Sequence, residues 1–361
     1  MERAVQLFQQ AIRRDPQFVL AHAALGDAFW ERYQATKEAQ WTERAMTSIL
    51  EALRLDPDQP QVRVSLARIY QGTGRNDAAI KELERVLPLQ PNSDEVRRLL
   101  GTMLETSGQT PGAIDQYRRA IELRPNYWQN HYDLGVLYYR LGRYDEAERT
   151  FGRVTELQPD NARGFHMLGM VQHALGHPAA ALRNYNEAVR LGPIAQTYSN
   201  IGTIHYREGR FVEAAHAYQQ ALKLRPNSEP TYRNLGDAYR RLGQTGEATA
   251  AYRKAVELGE EALKVNPRDA RTLATVALCE AKLGLRLAAE KRAAEALALR
   301  PDDSEVLYKK AAVHALNGQA TPALDALKRA LAHGYSARLA NEDDDLSAIK
   351  RLPAFDALVG R

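Results

Sequence analysis

Apolar side chains recur along this chain in stripes spaced three and four residues apart, the pattern of helices with one buried face. The stripes come in pairs. In the stretch HYDLGVLYYRLGRYDEAERTFGRV, Leu134, Gly135 and Tyr138 form the first stripe, Gly142 interrupts, and Ala147, Phe151 and Val154 form the second. The same places hold Leu100, Gly101, Leu104, Gly108, Ala113, Tyr117 and Ala120 one unit earlier. They hold Leu235, Gly236, Tyr239, Gly243, Ala248, Tyr252 and Ala255 further on. A proline closes each pair, at Pro16, Pro57, Pro91, Pro125, Pro159, Pro193, Pro226, Pro267 and Pro301. The intervals are 41, 34, 34, 34, 34, 33, 41 and 34 residues. A fixed period in this range marks stacked repeats that share one continuous core.

Each position has a physical reason. The glycine inside the first stripe removes bulk and lets a neighbouring helix come close. The later glycine (Gly74, Gly108, Gly142, Gly176, Gly209, Gly243, Gly284, Gly318) is expected to stop the first helix in a left-handed conformation. The closing proline turns the residue before it away from helix, and an Asn, Asp or Ser after it can cap the next one. Helices of about 14 residues are marginal alone, so they must be stabilised by their neighbours. The expected fold is all-α, a solenoid of antiparallel helix pairs.

The Leu–Gly, aromatic, Gly, Ala, aromatic, Ala and Pro pattern at this period resembles the tetratricopeptide repeat family over nearly the whole chain. The resemblance implies a right-handed superhelical solenoid whose first helices line a concave groove. It divides the chain into three parts: residues 1–16, the second helix of an incomplete repeat; 17–333, about eight repeat units; and 334–361, a C-terminal capping segment. Seven-residue insertions fall near 30–44 and 256–266, and seven residues are close to two helical turns, so a longer helix keeps its buried face. At the first insertion the extra turns either merely elongate the helices or make a docking ledge of Trp30, Tyr33 and Trp41. At the second, a helix is expected from about Gly246 to Val265. The N-terminal segment lacks its first helix, so a longer parent protein or a covering partner is expected. In the tail, Leu346, Ile349, Leu352, Phe355 and Leu358 are expected to seal the last pair. The Trp30–Trp41 insertion and the tail residues Gly334, Tyr335, Asp345, Leu346, Pro353 and Phe355 are similar to the arrays that follow the catalytic domain of bacterial eukaryotic-like serine/threonine protein kinases. Related arrays follow some bacterial cyclases and transcriptional regulators. No glycine-rich phosphate loop, HRD or DFG is present, so kinase chemistry would belong to another part of such a protein.

Composition narrows function further. With 44% hydrophobic and 26% charged residues the balance is that of a soluble folded chain, and a cytoplasmic location is expected. The net charge of +4 is mild and acidic residues are interspersed with basic ones, so no nucleic-acid partner is expected. Pentatricopeptide-type RNA binding has a similar period but a different pattern. No run is apolar enough to span a membrane. The single cysteine, Cys279, excludes an internal disulfide and reads as a packing residue. No motif for nucleotide, zinc-protease or serine-hydrolase chemistry occurs. His166, His173 and His177 lack a further ligand nearby for a metal. The run Glu342, Asp343, Asp344, Asp345 lacks the spacing of a calcium loop and reads as a solvated turn capping the tail. No enzyme activity, cofactor or metal is expected.

What remains is binding of a protein or peptide. By the family resemblance, the residue before Leu–Gly and those one, four and five after it face the groove. These are Asp133, Val136, Tyr139 and Arg140; Met167, Met170 and His173; Asn200, Thr203, Tyr206 and Arg207; and Asn234, Asp237, Arg240 and Arg241. One position earlier adds Tyr132, His166, Ser199 and Arg233. Tyr and Arg are common in binding hot spots and Met adapts to varied partners. The competing reading is that some of these aromatics simply pack on adjacent helices. The arginines gather late in the set, which suits a carboxylate or acidic segment. Asn200 and Arg240 match fragments of the clamp with which some family members hold C-terminal peptides, and the full set is absent. Two readings stay open: a scaffold that binds a peptide in its groove, and a regulatory or localising module of a multidomain bacterial signalling protein. The oligomeric state is not legible.

Overall fold

A computed structural model describes residues 2–360. Among the described residues every regular element is helical. A lone helix, α1 (Glu2–Arg14), precedes four helix pairs: α2 (Val19–Thr36) with α3 (Ala39–Leu55), α4 (Pro60–Gly72) with α5 (Asn76–Val86), α6 (Asp94–Thr106) with α7 (Thr110–Leu123), and α8 (Trp128–Arg140) with α9 (Tyr144–Leu157). Next come α10 (Ala162–Ala174) and α11 (Pro178–Leu191). Four further pairs follow: α12 (Ala195–Arg207) with α13 (Phe211–Leu224), α14 (Glu229–Arg241) with α15 (Thr245–Val265), α16 (Ala270–Lys282) with α17 (Arg286–Leu299), and α18 (Ser304–Leu316) with α19 (Ala320–Ala332). The tail holds α20 (Ala337–Glu342), a 3-10 turn at Asp344–Leu346 and α21 (Pro353–Val359). The chain divides into two compact units, one up to His177 and one from Pro178.

Local chemistry sets these boundaries. All eight helix-stop glycines take φ between +71° and +82°, the region where a Cβ is penalised. Two residues after a closing proline, Ser93, Asn161, Asp269 and Asp303 accept backbone N–H bonds that would otherwise be orphaned at a helix start.

Packing inside each pair rests on the stripe glycine. In the first unit a Cβ on Gly101 would lie 2.8 Å from the Tyr117 ring, and one on Gly135 2.9 Å from Phe151. In the second unit the same holds for Gly202 against Tyr218 at 2.7 Å and Gly236 against Tyr252 at 2.6 Å. The aromatic of the second helix therefore lies flat over the missing side chain of the first. Gly135→Ala is expected to overpack this contact and cost about 1–3 kcal/mol, read as a lower urea midpoint. An unchanged midpoint would mean the ring has room to move.

The first insertion lengthens both partners of a pair, α2 to 18 residues and α3 to 17. Its tryptophans do not form an outward ledge. Trp30 and Trp41 are only 7% and 8% exposed; Trp41 stacks on Phe29 and Trp30 on Tyr33, with Trp30 also covering Gly72. The added turns keep the apolar face in register, so the new aromatics join the core of the first unit. The second insertion makes α15 21 residues long, against 14 for α13.

In the second unit the tail packs on the last pair. Leu346, Ile349 and Phe355 are fully buried in one cluster with Leu307, Leu327 and Ala330. Tyr335 stacks on Tyr308 with ring centroids 3.9 Å apart.

Candidate functional site

In three pairs the residue just after the stripe glycine lies where the tyrosine of the second helix ends. Tyr117 shares a hydrogen bond with Thr102 at 3.1 Å, Tyr218 shares one with Thr203 at 3.3 Å, and Tyr252 donates to Asp237 at 2.7 Å. Where the ring is Phe151 the corresponding residue is Val136, which has no hydroxyl to satisfy. A buried phenol needs a polar partner, so this position is partly committed to the core before any partner arrives.

In the first unit, α8 and α10 carry the expected residues in half-buried settings. Tyr132 packs edge-on against Trp128 and Phe151, and Tyr139 against Tyr144. Asp133 accepts from Gln129 at 2.9 Å and from Arg98 at 3.2 Å, and burial holds its pKa above the usual carboxylate value. Arg140 is exposed and pairs with Glu105 at 2.6 Å. Burial lowers the His166 pKa, and Met167, Met170 and His173 share its helix. Much of this set is thus occupied with its own neighbours.

The second unit differs. Asn200 donates to Tyr185 at 3.2 Å and stays outside the cavity described next. Thr203, Tyr206 and Arg207 of α12, with Arg233, Asn234, Asp237 and Arg240 of α14, line one cavity of about 250 Å³. Tyr218 of α13, Leu278 and Lys282 of α16, and Glu305, Tyr308 and Lys309 of α18 complete the helical walls. The remaining wall is the tail, through Leu339, Glu342, Asp343 and Asp345.

The acidic run is therefore not a solvated turn. Asp345 is 4% exposed and accepts from Arg240 at 2.9 Å, while Lys282 reaches its other oxygen at 2.7 Å. Lys282 also pairs with Asp237. Burial alone would raise the Asp345 pKa, but Lys282 and then Arg240 outweigh it and hold the carboxyl below its ordinary value. Tyr308 donates to Asp343 at 2.6 Å, and Arg241 pairs with Asp344. Asp343 and Asp345 point inward because Leu346 and Ile349, which follow them, are held in the core, while Glu342 stays exposed.

Arg233 and Lys309 are placed otherwise. Among the described residues neither makes an ion pair: Arg233 donates to Asn234 at 3.0 Å with its Nε buried and unpartnered, and Lys309 donates to Thr275 at 2.8 Å. Burial opposes the Arg233 charge, and Asp237 leads the longer-range attractions that keep its pKa above normal.

Lys282, Tyr308 and Lys309 were outside the expected set, although a signal for them exists. Counting back seven residues from Gly284 and Gly318, as from Gly142 to Gly135, puts Ala277 and Ala311 at the stripe-glycine position. The same register then gives Lys282, Tyr308 and Lys309. The missing Leu–Gly pair hid it.

Sequence models described as tetratricopeptide or TPR repeat match residues 2–60, 42–102, 103–142, 129–193, 195–228 and 231–269. No curated protein matches the chain in sequence. Among solved structures, pilF of Pseudomonas aeruginosa matches at 19% identity with a TM-score of 0.50, over 60% of this chain and 95% of that one. The MamA protein matches at 24% identity and 0.44, over 48% and 95%. YrrB, described as a TPR protein with an unusual peptide-binding site, matches at 22% and 0.40, over 53% and 94%. At 19% identity the likeness to pilF is one of fold.

Proposed function

The chain belongs to the tetratricopeptide repeat family, a family of protein–protein interaction scaffolds, and on that footing we propose that it holds an acidic segment of a partner protein on the first-helix face of its second unit. One observation carries this reading: that face already receives carboxylates, because the chain's own Asp345 is seated between Arg240 and Lys282. Beside it, Arg233 and Lys309 line the same cavity and form no ion pair among the described residues, with Glu305 in the same wall. An incoming Asp or Glu side chain supplies the anion they lack, and guanidinium–carboxylate bonds are among the stronger polar contacts. Tyr206, held in place by Phe211 at 5.3 Å, offers an apolar surface next to them.

The test is titration of a fluorescent acidic peptide into wild type and an Arg233→Gln/Lys309→Gln variant, followed by anisotropy. Arg240 is the wrong position to mutate, since its loss would release Asp345. The double variant is expected to bind about tenfold to a hundredfold more weakly, roughly 1.4–2.8 kcal/mol. Wild-type binding should also weaken with added salt. Unchanged affinity in a variant with wild-type helicity would remove this face from consideration.

A further inference from the structure

Two lysines of the second unit line the same cavity in opposite surroundings. Lys282 has Asp237 and Asp345 as ion-pair partners. Burial pulls its pKa down, the two carboxylates more than offset that, and it stays a cation. Lys309 has no such partner among the described residues. Its Nζ donates to Thr275 Oγ1 at 2.8 Å, and the Thr275 hydroxyl is itself committed to the Arg271 carbonyl at 2.9 Å. Thr275 therefore only accepts, which holds one Nζ hydrogen and leaves the rest of the nitrogen to the cavity. The charged and titratable groups acting on it are Arg233 and Glu229 of α14, Cys279 of α16 and Glu305 of its own helix. Burial brings its pKa down to about 8, and Arg233 pulls the same way ahead of the carboxylates. Two ammonium groups set apart in this manner take different roles: one is a fixed charge and the other a base or nucleophile near neutrality.

We propose that Lys309 is a modification site, a nucleophilic amine that takes up dissolved carbon dioxide as a carbamate. The lone pair of the neutral Nζ attacks the carbon, forming the N–C bond. One C=O electron pair moves onto oxygen, and the nitrogen releases a proton to water. No oxidant or reductant is involved. The product is an N-carboxylate beside Arg233, whose Nε is buried without a partner. Desolvation next to another cation is a general way of activating a lysine. Lys254 and Lys264 are set up against the reaction: each is paired with a glutamate, Glu257 or Glu261, that keeps the amine protonated.

The experiment incubates the full chain with ¹³C-labelled bicarbonate, traps carbamates by alkylation with triethyloxonium, and locates the label by peptide mass spectrometry. The expected result is an ethoxycarbonyl group on Lys309 at several-fold higher occupancy than on Lys254. At constant dissolved carbon dioxide the occupancy should rise as the pH passes through about 8, because only the neutral amine reacts. Lys309→Arg should abolish the adduct, and Arg233→Gln should reduce it several-fold. No label on Lys309, or equal label on Lys254, overturns the assignment. The carbamate takes the place a partner carboxylate would fill at Lys309, so the two compete. The readout needs no partner peptide, and failure of one proposal is therefore distinguishable from failure of the other.

Discussion

Asp345→Asn is expected to destabilise the second unit by about 3–5 kcal/mol, the range for removing one member of a buried ion pair and stranding the other. Lys282 is 1% exposed and Asp345 4%, so water replaces little of what is lost. The substitution leaves two cations, Lys282 and Arg240, with Asp237 as their remaining ion-pair partner among the described residues. Asp344→Asn is the matched control. Its partner Arg241 is 40% exposed and Asp344 37%, so the loss should stay below about 1 kcal/mol. The pH dependence has a definite sign. The folded-state pKa of Asp345 is lowered by Lys282 and Arg240 against the opposing effect of burial, so its stabilisation is complete above the unfolded value. It is lost as pH falls through the folded one. Asp343 is shifted upward, first by burial and then by the Asp345 charge, so protonating it does not reproduce the loss. Urea melts of wild type and Asp345→Asn should differ widely at neutral pH and converge in strong acid. A constant gap across that range would show that packing of the tail, and not the charge, is what the substitution disturbs.

The repeat was readable because it is local. Helix stops need a glycine at positive φ, close helix contacts need a residue without a Cβ, and both requirements return at the same interval. The eight turns and the close helix approach could therefore be placed from the sequence, whereas the ring that fills the space comes from the structure. The tryptophan insertion was half readable. Its length and period allow longer helices, but nothing in the spacing says whether Trp30 and Trp41 turn inward. That is decided by Gly72 of α4, under Trp30, and by Phe29 of α2, against Trp41. Least readable was the tail. Asp345 and Arg240 are 105 residues apart in sequence, and no periodic signal links an acidic turn to cations on two earlier helices. A run of four acidic residues usually means solvent. Here the apolar residues after it, Leu346 and Ile349, fix its direction, and its charge follows them into the interior.

Phe355→Ala is expected to cost about 3–5 kcal/mol, the usual loss for truncating a fully buried Phe, and to do so by loosening the tail. Phe355 is completely buried, and its cluster joins the tail to α18 and α19 through Leu307, Leu327 and Ala330. With the ring gone, Leu346 and Ile349 lose the neighbour that holds them, and the turn carrying Asp343 and Asp345 loses its hold on the cavity. Amide hydrogen exchange should then quicken across 337–359 before it does in α12 to α15, because repeat arrays open from weakened ends. Coupling to the first prediction follows. If the tail leaves as one piece, the ion pairs leave with it, so Phe355→Ala/Asp345→Asn should cost clearly less than the sum of the single variants. Additive losses would mean that the hydrophobic and ionic parts of the tail are held separately. In that case the acidic turn would be anchored by its polar contacts with Lys282, Arg240, Arg241 and Tyr308.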